Sequence, residues 1–211
     1  MKIAEPSVEL LSITADSAKL IELAGRTCYK SEDKITDDSA DKFVKMISQR
    51  NHVSVIEHAS ATFRIVTDRG ITHEIVRHRL ASYSQESTRY CNYGKDKFGG
   101  EISVCIPGRD EPMTEDQYLL WDNAIRVAEN TYFSLLKTGM KPQIARSVLP
   151  TCLKTEIVMT CNFREWLHFI KLRTAPAAHP DIRPLAFAVQ LMLSNECPAV
   201  FPAPTIEELG M

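Results

Sequence analysis

An α+β fold, with an antiparallel-leaning central sheet flanked by helices, is what this 211-residue chain predicts. Two observations carry that expectation. About four β-rich segments have the two-residue alternation or the composition of strands, and five or six longer stretches carry apolar residues at helical spacing. A third, the capping and stop residues at the ends of those stretches, sets their limits. The length suits one domain spanning residues 1–211, large enough to bury a real core.

In chain order, Val8 to Thr14 reads as a strand and Ser17 to Cys28 as a helix, with Leu20, Ile21 and Ala24 on its inner stripe. Asp38 or Ser39 caps a second helix reaching Gln49, with Phe43, Val44 and Ile47 inward. Ala59 to Thr67 alternates, Ala61, Phe63 and Ile65 facing one side and Thr62, Arg64 and Val66 the other. Asp68-Arg69-Gly70 signals a turn, after which Ile71 to Arg79 has helical spacing. Leu80 to Lys97 is polar and aromatic and reads as an ordered loop, and Ile102 to Ile106 as a short strand ending at Pro107.

The longest helix is expected from Glu115 to Thr138, opened by a capping box between Thr114 and Gln117 and stopped by Gly139. Pro142 opens a short helix running to Leu149. Leu153 to Cys161 alternates as a strand. Asn162 and Glu165 then cap a helix reaching Arg173, and a last helix spans Asp181 to Asn195, with Pro184 in its first turn.

Composition narrows the function classes. Hydrophobic content of 44% and charged content of 25% are those of an ordinary soluble globular protein. A net charge of −2 disfavours non-specific nucleic-acid binding, so any basic patch must be local. No signal-like apolar core opens the chain, and no stretch approaches the roughly 18 apolar residues of a membrane span, so a cytoplasmic location without membrane contact is expected. The six cysteines, Cys28, Cys91, Cys105, Cys152, Cys161 and Cys197, form no C-x-x-C pair, which argues against structural zinc and a disulfide framework.

Arg77-His78-Arg79-Leu80-Ala81-Ser82-Tyr83-Ser84-Gln85-Glu86-Ser87-Thr88-Arg89-Tyr90 concentrates guanidinium and hydroxyl donors. Such donors grip a polyanion, because guanidinium forks match phosphate and carboxylate oxygens. A helix end followed by a solvated loop is the more usual origin of a generic basic run. Upstream, Thr72-His73-Glu74-Ile75-Val76-Arg77-His78 nearly spells a zinc-protease helix. Its histidines, however, are five apart, roughly 140° around a helix, and cannot clamp one metal, so no metal is expected. Near Asn51 to His58, a histidine, a hydroxyl and a carboxylate (His52, Ser54, Glu57) could line a pocket or simply form a helix end. On the helix after Asn162, the residues Asn162, Trp166, Phe169 and Arg173 share one side, which suits either a pocket arginine or a guanidinium laid over Phe169.

The order Arg77, His78, Arg79, Ser82, Ser87, Arg89 resembles the signature of the flavin-dependent thymidylate synthases: six fixed positions over thirteen residues. Three further blocks agree in order. His52-x-Ser54-x-x-Glu57-His58 resembles the segment preceding that motif, Arg146 before Leu149-Pro150 resembles the nucleotide-binding arginine, and Asn162, Arg164, His168 and Arg173 match a fourth block. Ser84-Gln85 departs from a common Asn-Glu, and His73-Glu74 from a common Arg-Gln.

The resemblance implies conversion of dUMP to dTMP with methylenetetrahydrofolate, non-covalent FAD and NADPH as reductant, in a homotetramer whose sites are shared between subunits. It assigns flavin contacts to Ser54, Arg77, His78, Arg79, Gln85, Asn162, Arg164 and His168, with His52 and Glu57 as pocket members and His179 near the flavin. It assigns dUMP contacts to Glu74, Ile75, Val76, Arg77, Gln85, Glu86, Ser87, Thr88, Arg89, Arg146 and Arg173, with Arg173 against the uracil as the catalytic residue. The chain has neither a G-x-G-x-x-G turn nor a Pro-Cys-His nucleophile segment, so this chemistry is expected to rest on electrostatics rather than on a thiolate.

Two other classes fit the residues alone. A single-stranded nucleic-acid module would pair Arg77, Arg79 and Arg89 with stacking Tyr83, Tyr90 and Tyr93. A flavin-free phosphate-binding hydrolase or transferase would use the same arginines.

Overall fold

Strand alternation sets the sheet. In a computed structural model, which describes residues 1–95, 99–109 and 111–207, the segment around Phe63 is a nine-residue strand, β3 (Ser60–Asp68), with Ala61, Phe63 and Ile65 fully buried. Its partner β6 (Lys154–Asn162) buries Thr155, Ile157, Met159 and Cys161 in strict alternation. With β2 (Ser7–Ile13) and β4 (Ala81–Gln85) they form a four-stranded sheet in the order β2-β3-β6-β4. It is antiparallel: the Phe163 amide donates to the Ala59 carbonyl at one end, and the Arg69 amide to the Leu153 carbonyl at the other.

β4 lies inside the stretch that the sequence predicts as a loop, whose last two residues, Asp96 and Lys97, fall outside the described residues. Ala-Ser-Tyr-Ser-Gln carries no large alternating apolar set, so its strand is fixed by neighbours rather than by pattern. The expected strand at Ile102 to Ile106 shrinks to β5 (Ser103–Val104), which pairs in parallel with β1 (Lys2–Ile3) in a separate two-stranded sheet.

The chain divides into two compact units. The first comprises Met1–Ser7, Ile65–Arg77 and Ser84–Ile157. It holds α3 (Arg69–Ile75), α4 (Glu115–Lys137) and α5 (Pro142–Ala145). The predicted capping box opens α4 with both of its hydrogen bonds, and Gly139 follows its end at φ +86°, where a side chain is strained. The core of this unit gathers Ile102, Val104, Ile125, Tyr132, Ala145 and Leu153. Asp68 caps α3 through a bond from the Ile71 amide, so the helix begins at the expected turn itself. It ends at Ile75, short of the predicted Arg79. α5 likewise stops at Ala145 and tightens into a 3-10 turn, Arg146–Val148.

The second unit comprises Val8–Arg64, His78–Tyr83 and Val158–Met211, of which the residues up to 207 are described. It holds α1 (Ser17–Thr27), α2 (Ala40–Gln49), a 3-10 turn at Val55–His58, α6 (Phe163–Arg173) and α7 (Arg183–Glu196). α1 turns Ile21 inward as predicted, but with Glu22 and Gly25 beside it, leaving Leu20 exposed and Ala24 half-buried. At Gly25 an added Cβ would stand 2.6 Å from the Phe43 ring, so only a glycine lets the helix approach that ring on this face. Phe43 itself is only half-buried, whereas Val44 and Ile47 are buried as expected. Edge-to-face rings fill the core: Phe63 with Trp166 at 4.9 Å and Trp166 with Phe169 at 5.4 Å. The indole nitrogen of Trp166 donates to the Ala61 carbonyl at 3.1 Å.

All six cysteines are free thiols. Among the described residues, no helix is long and apolar enough to cross a membrane.

Candidate active site

The fourth sequence block builds a constellation within the second unit. Asn162 ends β6 and caps α6, its Oδ1 accepting from the Glu165 amide at 2.9 Å. The cap fixes the first turn of α6 and turns the Glu165 side chain inward, where the residue is 7% exposed. Glu165 Oε1 lies 3.3 Å from His78 Nδ1, and Arg173 Nε donates to His78 Nε2 at 3.1 Å.

Because Nε2 accepts, the proton of the neutral ring sits on Nδ1 and is donated to Glu165. The ring is 3% exposed. The edges of His168 and Phe169 meet it at 5.4 and 5.0 Å between centroids. Burial, then the Arg173 charge, then His168 pull the His78 pKa down to about 4. The backbone beside it is also held, since Tyr83 Oη donates to the His78 carbonyl at 2.6 Å. Burial, followed by Cys161 and Glu165, pushes that phenol well above its ordinary range.

The second unit also presents exposed polar and charged groups. Arg79, Arg164 and His168 are exposed, as are His52, Ser54 and Glu57. Arg164 bonds Glu57 across the surface, which joins the His52–Glu57 block to the Asn162 block. His179 accepts from the Asp181 amide at 3.2 Å. His78, Glu165 and His168 place metal-ligand atoms within 4.8 Å of one another. A metal there would have to break either the Glu165 or the Arg173 bond to His78, because both ring nitrogens are committed.

The first unit holds a second constellation. Arg146 Nη1 donates to the Oγ1 of buried Thr88 at 3.0 Å, on a pocket of about 520 Å³ lined also by Arg69, His73 and Gln143. Arg89 lies over the Tyr90 ring at 5.3 Å, with both residues exposed. The Ser87 Oγ accepts from the Arg89 amide at 3.3 Å. Glu86 is spoken for: its carboxylate accepts from Tyr93 Oη at 3.1 Å and pairs with Lys154 at 3.3 Å. The Gln85 amide nitrogen turns toward Thr72 and Thr155 at 2.9 and 3.3 Å. Ile75 is fully buried, Val76 and Arg77 are exposed, and Glu74 is half-buried.

Three residues escaped the sequence reading. Glu165 was read only as a capping partner, and Arg69 and Gln143 carried no site signal because the pocket assembles them from separate segments; His73 was weighed only as a metal ligand and as a departure from the family pattern. The nucleic-acid alternative loses its stacking platform: Tyr93 is buried on Glu86 and Tyr83 is tied to His78, so of the three rings only Tyr90 is exposed.

The donor set is cationic and hydroxyl-rich, and the His–Glu–Arg knot beside it is buried at His78 and Glu165 and half-buried at Arg173, an arrangement suited to anionic ligands. Residues 9–199 match the family model described as thymidylate synthase complementing protein. The chain is 35% identical over 201 residues to the flavin-dependent thymidylate synthase of Geobacter sulfurreducens, covering 92% of this chain and 84% of that one. It is 36% identical over 217 residues to the enzyme of the same name from Mycobacterium avium, covering 94% and 84%. Its fold superposes on a UMP/dUMP methylase, PolB, from Streptomyces cacaoi bound with 5-Br dUMP, at a TM-score of 0.80 and 25% identity over 95% of each chain. The chain belongs to the flavin-dependent thymidylate synthase family.

Proposed function

We propose that this chain catalyses the reductive methylation of dUMP to dTMP, taking its carbon from methylenetetrahydrofolate, with non-covalent FAD and with NADPH as reductant. The observation that carries the reading is Arg173, a guanidinium held by a buried neutral histidine at the end of an aromatic-lined helix. The donor set suits FAD: exposed Arg79 and Arg164 match a pyrophosphate, and His168 and Asn162 each offer polar contacts to a ring system. Ser54, His52, Glu57, Arg77, His78 and Gln85 complete that assignment. When bound, the flavin supplies the hydride that completes the transfer.

The chain's own residues do the rest. Glu74 to Arg77, Gln85 to Arg89 and Arg146 seat dUMP, with Arg146 and Thr88 suited to its phosphate. Arg173 stabilises the negative charge that develops as the uracil imide ionises, an effect far larger in a water-poor site than in bulk water. His78 stays neutral at physiological pH, so it accepts from Arg173 without competing with it for the anion. The enzyme works in the cytoplasm as a homotetramer that shares residues between subunits.

Incubating the purified chain with FAD, dUMP, methylenetetrahydrofolate and NADPH tests the reading. A flavin spectrum bleached anaerobically by NADPH, together with dTMP in the product mixture, is expected. A colourless protein that makes no dTMP under these conditions sinks it.

A further inference from the structure

Glu165 and Arg173 stand at opposite ends of α6, eight residues apart, which is roughly 12 Å of helix rise. They cannot touch, yet both bond one imidazole ring. Phe169, four residues from each, closes the ring's side at 5.0 Å between centroids. His78 therefore bridges the two ends of a single helix, with the His168 and Phe169 rings packed against it and 3% of its surface exposed. The Glu165 carboxylate oxygen facing Nδ1 takes the Nδ1–H, and that tautomer leaves Nε2 as a lone pair aimed at Arg173. Arg173 Nε is engaged in this way while the guanidinium fork beyond it is oriented.

We propose that Glu165 is a positioning residue for thymidylate synthesis, acting through the His78 ring to hold the Arg173 guanidinium in its working orientation. This rests on the function proposed above. The charged and titratable groups that face His78 are Glu165, Arg173 and His168 from α6 and Tyr83 from β4. Of these, only Glu165 and Arg173 bond the ring nitrogens. No covalent step is involved. The consequence is geometric, since a displaced fork no longer meets the ionising imide.

The test compares Glu165→Gln and Glu165→Leu with the parent holoenzyme, in the parent and in the Arg173→Ala backgrounds. The Nδ1–H resonance of His78 is followed by ¹⁵N-edited NMR alongside kcat, the KM for dUMP and flavin content. The parent is expected to show a downfield Nδ1–H signal. Glu165→Gln keeps an acceptor, so it should shift that signal upfield and retain most of the rate. Glu165→Leu should abolish the signal and lower kcat by roughly a hundredfold, with KM and flavin content within about twofold, as expected when ground-state binding is untouched. In the Arg173→Ala background Glu165→Leu should cost no further rate, because the two residues act as one unit.

An unchanged kcat in Glu165→Leu overturns the proposal, as does a full additional loss in the Arg173→Ala background. If Glu165→Leu does not fold, a Glu165→Gln enzyme that has lost the resonance and keeps an unaltered kcat overturns it equally. The resonance is read on the enzyme as purified, before any substrate is added. A parent that shows it but makes no dTMP therefore refutes the proposed function, and with it the catalytic consequence, while normal synthesis without the resonance refutes the relay alone.

Discussion

Arg173 donates its Nε proton to His78 Nε2 across 3.1 Å, joining the last turn of α6 to the centre of the basic motif, 95 residues earlier in the chain. Two blocks that were separate signals in the sequence become one device.

Replacing Arg173 by alanine should separate binding from chemistry. Flavin absorbance and dUMP-induced spectral changes should persist, while kcat falls by roughly a hundred- to a thousandfold, the range for losing one preorganised donor. Arg173→Lys should recover little, since a lysine cannot bond His78 and present a planar fork together. Anaerobic flavin titration and single-turnover dTMP formation measure the two halves.

His78 should leave a signature in stability against pH. Its folded pKa, about 4, lies below the ordinary value of 6.5, so the unfolded chain binds more protons between those limits. Stability from this group is therefore complete above pH 6.5 and lost as pH falls toward 4, by something like 3 kcal/mol in all. Urea unfolding at stepped pH should show this slope, and His78→Gln should flatten it.

The pocket around Arg146 should govern nucleotide affinity. Arg146→Ala removes a charged donor and is expected to raise the KM for dUMP by roughly ten- to a hundredfold. Thr88→Val, which removes only the hydroxyl that orients Arg146, should act in the same direction and less strongly. Flavin content should be unchanged in both. Equilibrium binding of dUMP to the oxidised protein decides this without turnover.

Stability should depend on buried aromatics far more than on surface pairs. Trp166 is fully buried and edge-packed on Phe63 and Phe169, so Trp166→Ala should cost about 3–5 kcal/mol. Arg164 and Glu57 are 53% and 40% exposed, and Glu57→Gln should change stability by less than about 1 kcal/mol. Guanidinium unfolding of the two variants gives the comparison.

Much of the fold was legible because its signals are local. The Thr114–Gln117 box, Gly139 and the Asn162 cap lie within one turn of the ends they govern, and the alternation of Phe63 and Ile65 is a property of one strand. β4 was not legible, since Ala81 to Gln85 has no apolar alternation and becomes a strand only beside β6. The inner face of α1 was misread because Gly25 counts as a neutral residue in any pattern, while its missing Cβ is what admits the Phe43 ring.

The sequence alone determined the inventory: which guanidinium, imidazole and carboxylate groups exist, in what order, and which family arranges them so. Tertiary structure decided what each one does. Whether Glu165 merely caps a helix or sets a tautomer, and whether Tyr93 stacks or hides, depends on burial and on partners brought from far along the chain. Hydrogen bonds and desolvation act over a few ångströms of space, and no spacing along a sequence encodes those distances.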